Sequence, residues 1–377
     1  MNPVTRYYFD HNATTPVSPE VFQVMAPLMT TVFGNASSIH QFGQEARSEL
    51  DRARRSVAAM LGAKAEEIVF TSGGTEADNM AIFGAGGHVI TTTVEHPAVL
   101  QAATELPEVT FVRADSCGII DPQAVREALR PDTKLISVMH VNNELGVIQP
   151  VREVARIARE AGVQFHSDGV QAMGKIPVDV GDLGVDLYSI SAHKIYGPKG
   201  MGALYIRKGA ALRPLLYGGP HERKMRAGTE NVAGAAGFGR AAEWAIEESA
   251  TEAARQTVLR DRMEQGILER VAGAHVNGTG ALRVGNTSNI RFDGIDSEPL
   301  LIALDLKGFA VSSGSACSSG ATEPSHVLAA IGLTREQARS SVRFSLGRSN
   351  TEEQIDALIE AVVQVVSRLR KLAPAYA

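Results

Sequence analysis

Along the first two-thirds of this chain, short runs of β-branched and apolar residues alternate with helix-forming stretches. That alternation specifies an α/β fold in which helices wrap a mostly parallel, seven-stranded-type sheet. Strands are predicted at residues 67–71, 88–92, 109–112, 134–139, 163–166, 186–190 and 203–207. Helical patterns at 75–83, 97–106, 122–129 and 151–161 separate several of them, the last closed by Gly162 as a C-terminal stop. Ser18-Pro19 supplies an N-cap followed by proline at the first helical position. Helix formers dominate from 231 to 271. Beyond them, strand-like 288–292, 310–312 and 342–345 alternate with helices that end in a stretch over 351–372. The expected organisation is a large domain over 15–250 and a smaller α/β domain made of 1–14 and 251–377.

Composition narrows the function. With 377 residues, 44% hydrophobic and 21% charged, the chain can bury a sizeable core. A net charge of -5 offers no electrostatic footprint for nucleic acid or an anionic membrane surface, so a small polar or zwitterionic substrate fits better. No apolar run is long enough to span a bilayer, and the first ten residues lack a signal-peptide layout, which points to the cytoplasm. Two cysteines, Cys117 and Cys317, build neither a disulfide framework nor a four-cysteine metal site, and no metal is expected.

In open α/β sheets, ligands gather beyond the carboxyl ends of strands. After strand 67–71 comes Ser72-Gly73-Gly74-Thr75-Glu76, small residues entering a helix whose first amides are unpaired, a pocket suited to a phosphate. After strand 163–166 come Asp168 and Gln171; a carboxylate there can keep a pyridine nitrogen protonated. After strand 186–190 comes Ser191-Ala192-His193-Lys194, whose amine can form a Schiff base with an aldehyde. Each feature alone also reads as a tight turn, a capping residue or a solvated lysine. Together, the anion cradle, ring-nitrogen partner and amine match the three handles of pyridoxal phosphate. Cys317, within Ser312-Ser313-Gly314-Ser315-Ala316-Cys317-Ser318-Ser319-Gly320, is a thiol with little around it to bury, which taken alone reads equally as a chance loop cysteine or as an accessible nucleophile.

Ser191-Ala192-His193-Lys194-Ile195-Tyr196-Gly197-Pro198-Lys199-Gly200 and the Cys317 segment resemble the signature segments of cysteine desulfurases. The subgroup suggested is the NifS/IscS type of the class V aminotransferase family, with the fold-type I architecture of pyridoxal-phosphate enzymes. The resemblance runs from Tyr8-Phe9-Asp10-His11-Asn12 to Arg343-Phe344-Ser345-Leu346-Gly347-Arg348. It implies that Lys194 carries the cofactor aldehyde, Asp168 pairs with the ring nitrogen and Gln171 donates to the ring hydroxyl. His96 would stack on the ring and shuttle protons, and when protonated would help ionise Cys317. Gly74, Thr75, Ser191 and His193 would hold the phosphate, with Thr229 reaching it from the other subunit of a homodimer. Asn143 would touch cofactor and substrate, Arg343 would grip the substrate carboxylate, and Asn12 would line the same pocket. A planar guanidinium suits that grip because it binds a carboxylate bidentately.

The implied reaction takes sulfur from L-cysteine, leaves L-alanine and a persulfide on Cys317, and passes the sulfur to an acceptor or iron-sulfur scaffold protein. Selenocysteine lyase, an aminotransferase-like activity and a non-enzymatic assembly scaffold are the competing readings. One departure from the family is Gly169, after Asp168, where members often carry alanine. Gly237-Phe238-Gly239-Arg240-Ala241-Ala242 matches a dinucleotide fingerprint by letter, yet it lies in a helical stretch with no strand before it.

Overall fold

The computed structural model describes residues 5–313 and 324–372, so Cys317 lies outside the described residues. The strands are β1 (Tyr7–Tyr8), β2 (Ile68–Thr71), β3 (His88–Thr92), β4 (Val109–Val112), β5 (Thr133–Ser137), β6 (Gln164–Asp168), β7 (Leu187–Ser191), β8 (Gly202–Ile206), β9 (Ala274–Val276), β10 (Thr287–Phe292), β11 (Phe309–Ala310) and β12 (Ser341–Ser345). The helices begin with α1 (Pro19–Thr30), α2 (Gln41–Met60), α3 (Gly74–Gly84), α4 (Pro97–Thr104), α5 (Pro122–Glu127) and α6 (Val151–Ala161). They continue with α7 (Val180–Leu183), α8 (Val232–Arg270), α9 (Ser297–Leu306), α10 (His326–Ala330), α11 (Arg335–Arg339) and α12 (Glu352–Leu372).

Seven strands form the main sheet in the order β2-β8-β7-β6-β5-β3-β4. Only β8 runs antiparallel to its neighbours, β2 and β7. Every residue of β2, β3 and β7 is buried, as expected where helices cover both faces. Helix α6 shows how the sequence chooses its face: Val151, Val154, Ala155 and Ala158 recur at helical spacing and are all buried, and Gly162 closes the helix at φ 67°. Ser18 caps α1 by accepting from the Val21 amide.

A second sheet, β12-β10-β9, is antiparallel and packs with α9, α12 and the C-terminal part of α8 around Phe9, Met263, Ile290, Phe344 and Leu358. Helix α8 runs 39 residues without a break. Its N-terminal part, with Ala235, Phe238 and Ala242, joins the core beneath the main sheet, whereas Leu259, Met263 and Ile267 join the second core. Tyr7 and Tyr8 pair with Phe309 and Ala310, and Asp10 bridges to Ser345, so the N-terminal segment is stitched to the second core before it crosses to the first.

The expected strands correspond to observed ones with ends moved by one or two residues. Segments not singled out from the sequence include α2, α7, β1 and β9. Between α8 and the main sheet, Glu222, Arg223 and Lys224 take left-handed backbone angles (φ 44°, 56° and 67°). Glu222 anchors them: its carboxylate accepts two bonds of 2.6 Å from Arg54 and one of 2.9 Å from the Phe70 amide, all buried.

Candidate active site

The chemistry-bearing residues collect beyond the C-terminal ends of β2, β6 and β7. Because β8 is reversed, its first residue, Gly202, lies in register with both Thr71 and Ser191. A Cβ on Gly202 would fall 2.5 Å from the Gly73 carbonyl carbon, so a glycine there lets the Ser72-Gly73 turn rest on β8. Thr14, Gly73, Gly74, Thr75, Ser191 and His193 line a cavity of about 300 Å³ at the start of α3. No side chain caps α3, so its first amides remain available to an anion. Ser191 Oγ is buried and has no hydrogen-bond partner among the described residues. These are donors arranged for an oxyanion, and they fit the phosphate end of the cofactor.

Asp168 ends β6, is 4% exposed and accepts a 2.9 Å bond from the Val170 amide. Burial raises its carboxyl to about 6, against the pull of that amide and of the Lys194 charge. A carboxylate held at a strand end in such surroundings suits a ring N–H⁺ as its counter-ion. Lys194 follows β7, and its Nζ donates to the carbonyls of Asn12 and of Ala13, the latter at 2.8 Å. Gln171 Nε2 donates to the same Asn12 carbonyl at 3.0 Å.

Asn12 is therefore a hub. Its Nδ2 donates to Thr287 Oγ1 at 2.8 Å and to the Asn143 carbonyl at 3.1 Å, and the same Asn143 carbonyl accepts from Arg343 Nη1 at 3.1 Å. Asn143 Oδ1 is buried and unpartnered among the described residues. Arg343 is fully buried, and its Nη2 pairs with Asp10 Oδ1 at 2.7 Å. In sum, Lys194, Gln171, Asn143, Asn12 and Arg343 are joined through a single hydrogen-bonded chain that the N-terminal segment completes.

His96 is the N-cap of α4, its Nδ1 accepting from the Ala98 amide at 3.1 Å. As a neutral imidazole it consequently carries its proton on Nε2. Burial first, and then the charge on Lys194, lower it to about 4, and His193 is lowered to about 4 for the same two reasons. A buried ring beside an ammonium stays neutral, which disfavours the protonated His96 expected to help ionise Cys317. Thr229 is exposed and does not line the cradle of its own chain.

Several polar residues near the site, Lys175, Asp10 and Glu144 among them, were given no role from the sequence. Lys175 sends its Nζ to Asn12 Oδ1 at 2.8 Å and to Gln171, four residues earlier; burial, Lys194 and Arg343 hold its amine well below its ordinary value. The four-residue spacing from Gln171 was the available signal. Asp10 pairs with Arg343. Glu144, wholly buried, accepts from Ser325 Oγ at 2.6 Å.

A parallel-sheet α/β fold with a lysine, an aspartate and an anion cradle at successive strand ends defines a pyridoxal-phosphate enzyme. Residues 7–358 match the family described as Aminotransferase class-V, to which this chain belongs. Within that family its similarity is to cysteine desulfurases: the cysteine desulfurase IscS of Dictyoglomus turgidum is 48% identical over 97% of this chain and 96% of its own length. A solved NifS-like protein superposes with a TM-score of 0.90 at 37% identity, covering 97% of this chain and 100% of that one. The structure of SspA in complex with cysteine gives a TM-score of 0.80 at 36% identity, over 91% of this chain and 99% of SspA.

Proposed function

We propose that this protein is a cysteine desulfurase that converts L-cysteine to L-alanine, leaves the sulfur as a persulfide on Cys317, and hands it to an acceptor such as an iron-sulfur scaffold protein in the cytoplasm. The observation that carries this reading is the hydrogen-bonded network that joins Lys194 and Gln171 through Asn12 and Asn143 to Arg343, with Asp168 and the Gly74–Ser191 cradle at the neighbouring strand ends. Similarity to cysteine desulfurases over nearly the whole chain supports the choice of reaction, and the solved complex of SspA with cysteine supports the substrate.

Pyridoxal phosphate, when bound, supplies an aldehyde for the lysine and a ring that accepts electrons from the substrate's α-carbon. Gly74, Thr75, Ser191 and His193 hold the phosphate, and Thr229 of the partner subunit in a homodimer adds a hydroxyl. Asp168 would pair with the ring nitrogen, Gln171 would donate to the ring hydroxyl, and Asn143 would touch cofactor and substrate. His96, neutral with its proton on Nε2, presents a flat apolar face and a donor.

Arg343 takes the carboxylate of L-cysteine, which then shares the guanidinium with Asp10. Lys194 Nζ removes the proton from the α-carbon and later returns it. The thiolate of Cys317 attacks the substrate sulfur: an S–S bond forms, the substrate's C–S bond breaks, and its β-carbon takes a proton. The balance is one cysteine plus one protein thiol giving one alanine plus one protein persulfide.

The test is incubation of the cofactor-loaded protein with L-cysteine, followed by intact-mass and peptide mapping. The expected outcome is one sulfur atom gained on Cys317 with one alanine released per chain; sulfur found elsewhere, or alanine formed without it, overturns the reading.

A further inference from the structure

Helix α3 meets the site twice. Its first turn, with Gly74 and Thr75, forms the anion cradle, and Asp78, four residues after Gly74, falls on the same face one turn deeper. Asp78 is 1% exposed. One of its carboxylate oxygens, one of Asp168 and a ring nitrogen of His96 all lie within 4.8 Å of one another.

Behind this group runs a chain of neutral donors. His166 Nδ1 is 2.8 Å from Ser137 Oγ, and its Nε2 is 2.9 Å from Ser189 Oγ and 3.6 Å from Asp78 Oδ1. Asp78 Oδ1 makes no hydrogen bond among the described residues. The 3.6 Å approach has the form of an ion pair, but the charges needed for one are missing. Burial lowers His166 to about 3, so its ring is neutral. Burial and then the Asp168 charge both push the Asp78 carboxyl well above its ordinary range, with only Ser189 pulling the other way. The titratable groups facing Asp78 are Asp168 and His166 from β6, and Glu95 and His96 from the turn before α4; Lys194 lies beyond Asp168. None supplies a cation that a second buried carboxylate could claim.

We propose that Asp78 is a positioning residue for Asp168: a neutral carboxylic acid on α3 packed within 4.8 Å of it, it leaves Asp168 as the single negative charge offered to the cofactor's ring nitrogen. The proposal rests on the pyridoxal-phosphate reading of the site. It also explains why one helix carries both the phosphate cradle and a buried acid: the element that would hold the phosphate also carries the acid beside Asp168.

The test uses the full chain loaded with pyridoxal phosphate, as wild type, Asp78→Asn and Asp78→Leu. Two quantities are read: the absorbance of the bound cofactor between about pH 6 and pH 9, and the rate at which cofactor is lost on dialysis. Asp78→Asn, a neutral isostere, is expected to match the wild type in spectrum, pH midpoint and retention. Asp78→Leu fills similar space without a polar group and is expected to lose cofactor about ten-fold faster. A shifted pH midpoint in Asp78→Asn overturns the proposal, because it reveals a charge on the native Asp78; so does an Asp78→Leu variant that holds cofactor as the wild type does. Should the leucine variant fail to fold, the comparison of Asp78 with asparagine decides alone. A wild type that takes up no cofactor overturns the reading of the site itself, a result none of the variant comparisons can mimic.

Discussion

Gly169 is the position at which the surroundings of Asp168 can be probed most sharply. A Cβ built there would lie 2.0 Å from both Cε1 and Cζ of Tyr188 and 2.4 Å from its Oη. Ordinary carbon contacts begin near 3.5 Å, so the ring would have to retreat by about 1.5 Å. It has nowhere to go. Tyr188 is completely buried, and its hydroxyl is bonded to His140 Nδ1 at 2.7 Å. Gly169 is equally fixed, donating to the Ser189 carbonyl at 2.9 Å and accepting from the Ala172 amide at 2.9 Å. Overpacking of this kind costs about 1–3 kcal/mol, and breaking the Tyr188–His140 bond adds roughly 1 kcal/mol. Gly169→Ala is therefore expected to lower the unfolding free energy of the cofactor-free protein by about 2–4 kcal/mol in urea titration. It should also disturb the absorbance of bound cofactor, since Asp168 and Val170 flank the displaced residue. Tyr188→Phe removes only the 2.4 Å contact and should not rescue the variant, whereas Tyr188→Val, which removes the ring, should recover most of the loss. A Gly169→Ala protein as stable as the wild type, with an unchanged spectrum, refutes the argument that Tyr188 occupies the space an alanine needs.

Replacing Lys194 with alanine should abolish the visible absorbance of lysine-linked cofactor, measured after addition of pyridoxal phosphate, while leaving the Asp168 and phosphate contacts to retain it weakly. Cys317→Ser should bind cofactor and L-cysteine normally yet release sulfide at a small fraction of the wild-type rate, as followed by methylene-blue assay. Glu222→Gln strands the buried Arg54 guanidinium and should cost about 3–5 kcal/mol in denaturant titration, whereas the double replacement of Arg54 and Glu222 by methionine should restore much of it. The acid-side pH dependence of the cofactor-free protein follows from His11, His96, His140, His166 and His193, which burial lowers to about 4, 4, 4, 3 and 4. The unfolded chain takes up protons below about pH 6.5 while the folded chain does not, so stability is full above that pH and falls steadily towards pH 4. Glu95, raised to about 8 by burial, works in the opposite sense: its contribution is lost as pH rises from about 4.5 through 8. His96→Asn should make the acid-side decline shallower in urea titrations at successive pH values, and an unchanged slope would count against a buried neutral imidazole.

Much of this site could be read from residue order because its parts follow strands. Asp168, Ser191 and Lys194 sit where short β-branched runs end, and a parallel sheet brings such ends to one edge whatever lies between them. What escaped the sequence has another origin. Asp78 and Lys175 act from inside the protein: Lys175 left only its four-residue spacing from Gln171 as a signal, and only the packing of α3 on β6 brings Asp78 near Asp168. The pairing of Asp10 with Arg343 joins residues 333 positions apart and depends on the N-terminal segment being laid along β12, which no local propensity encodes. The helical cap at His96 was visible in Glu95-His96-Pro97, but its neutral charge state was not, because burial and the Lys194 ammonium decide it together.

The uninterrupted course of α8 through both hydrophobic cores has a mechanical corollary. A straight rod of 39 residues measures roughly 58 Å, and its two ends cannot swing independently without melting a turn in the middle. The two cores can then move relative to one another only as far as the rod allows, turning about it as a stiff axle. A glycine pair introduced near Ala250 would create a joint where the native protein has none.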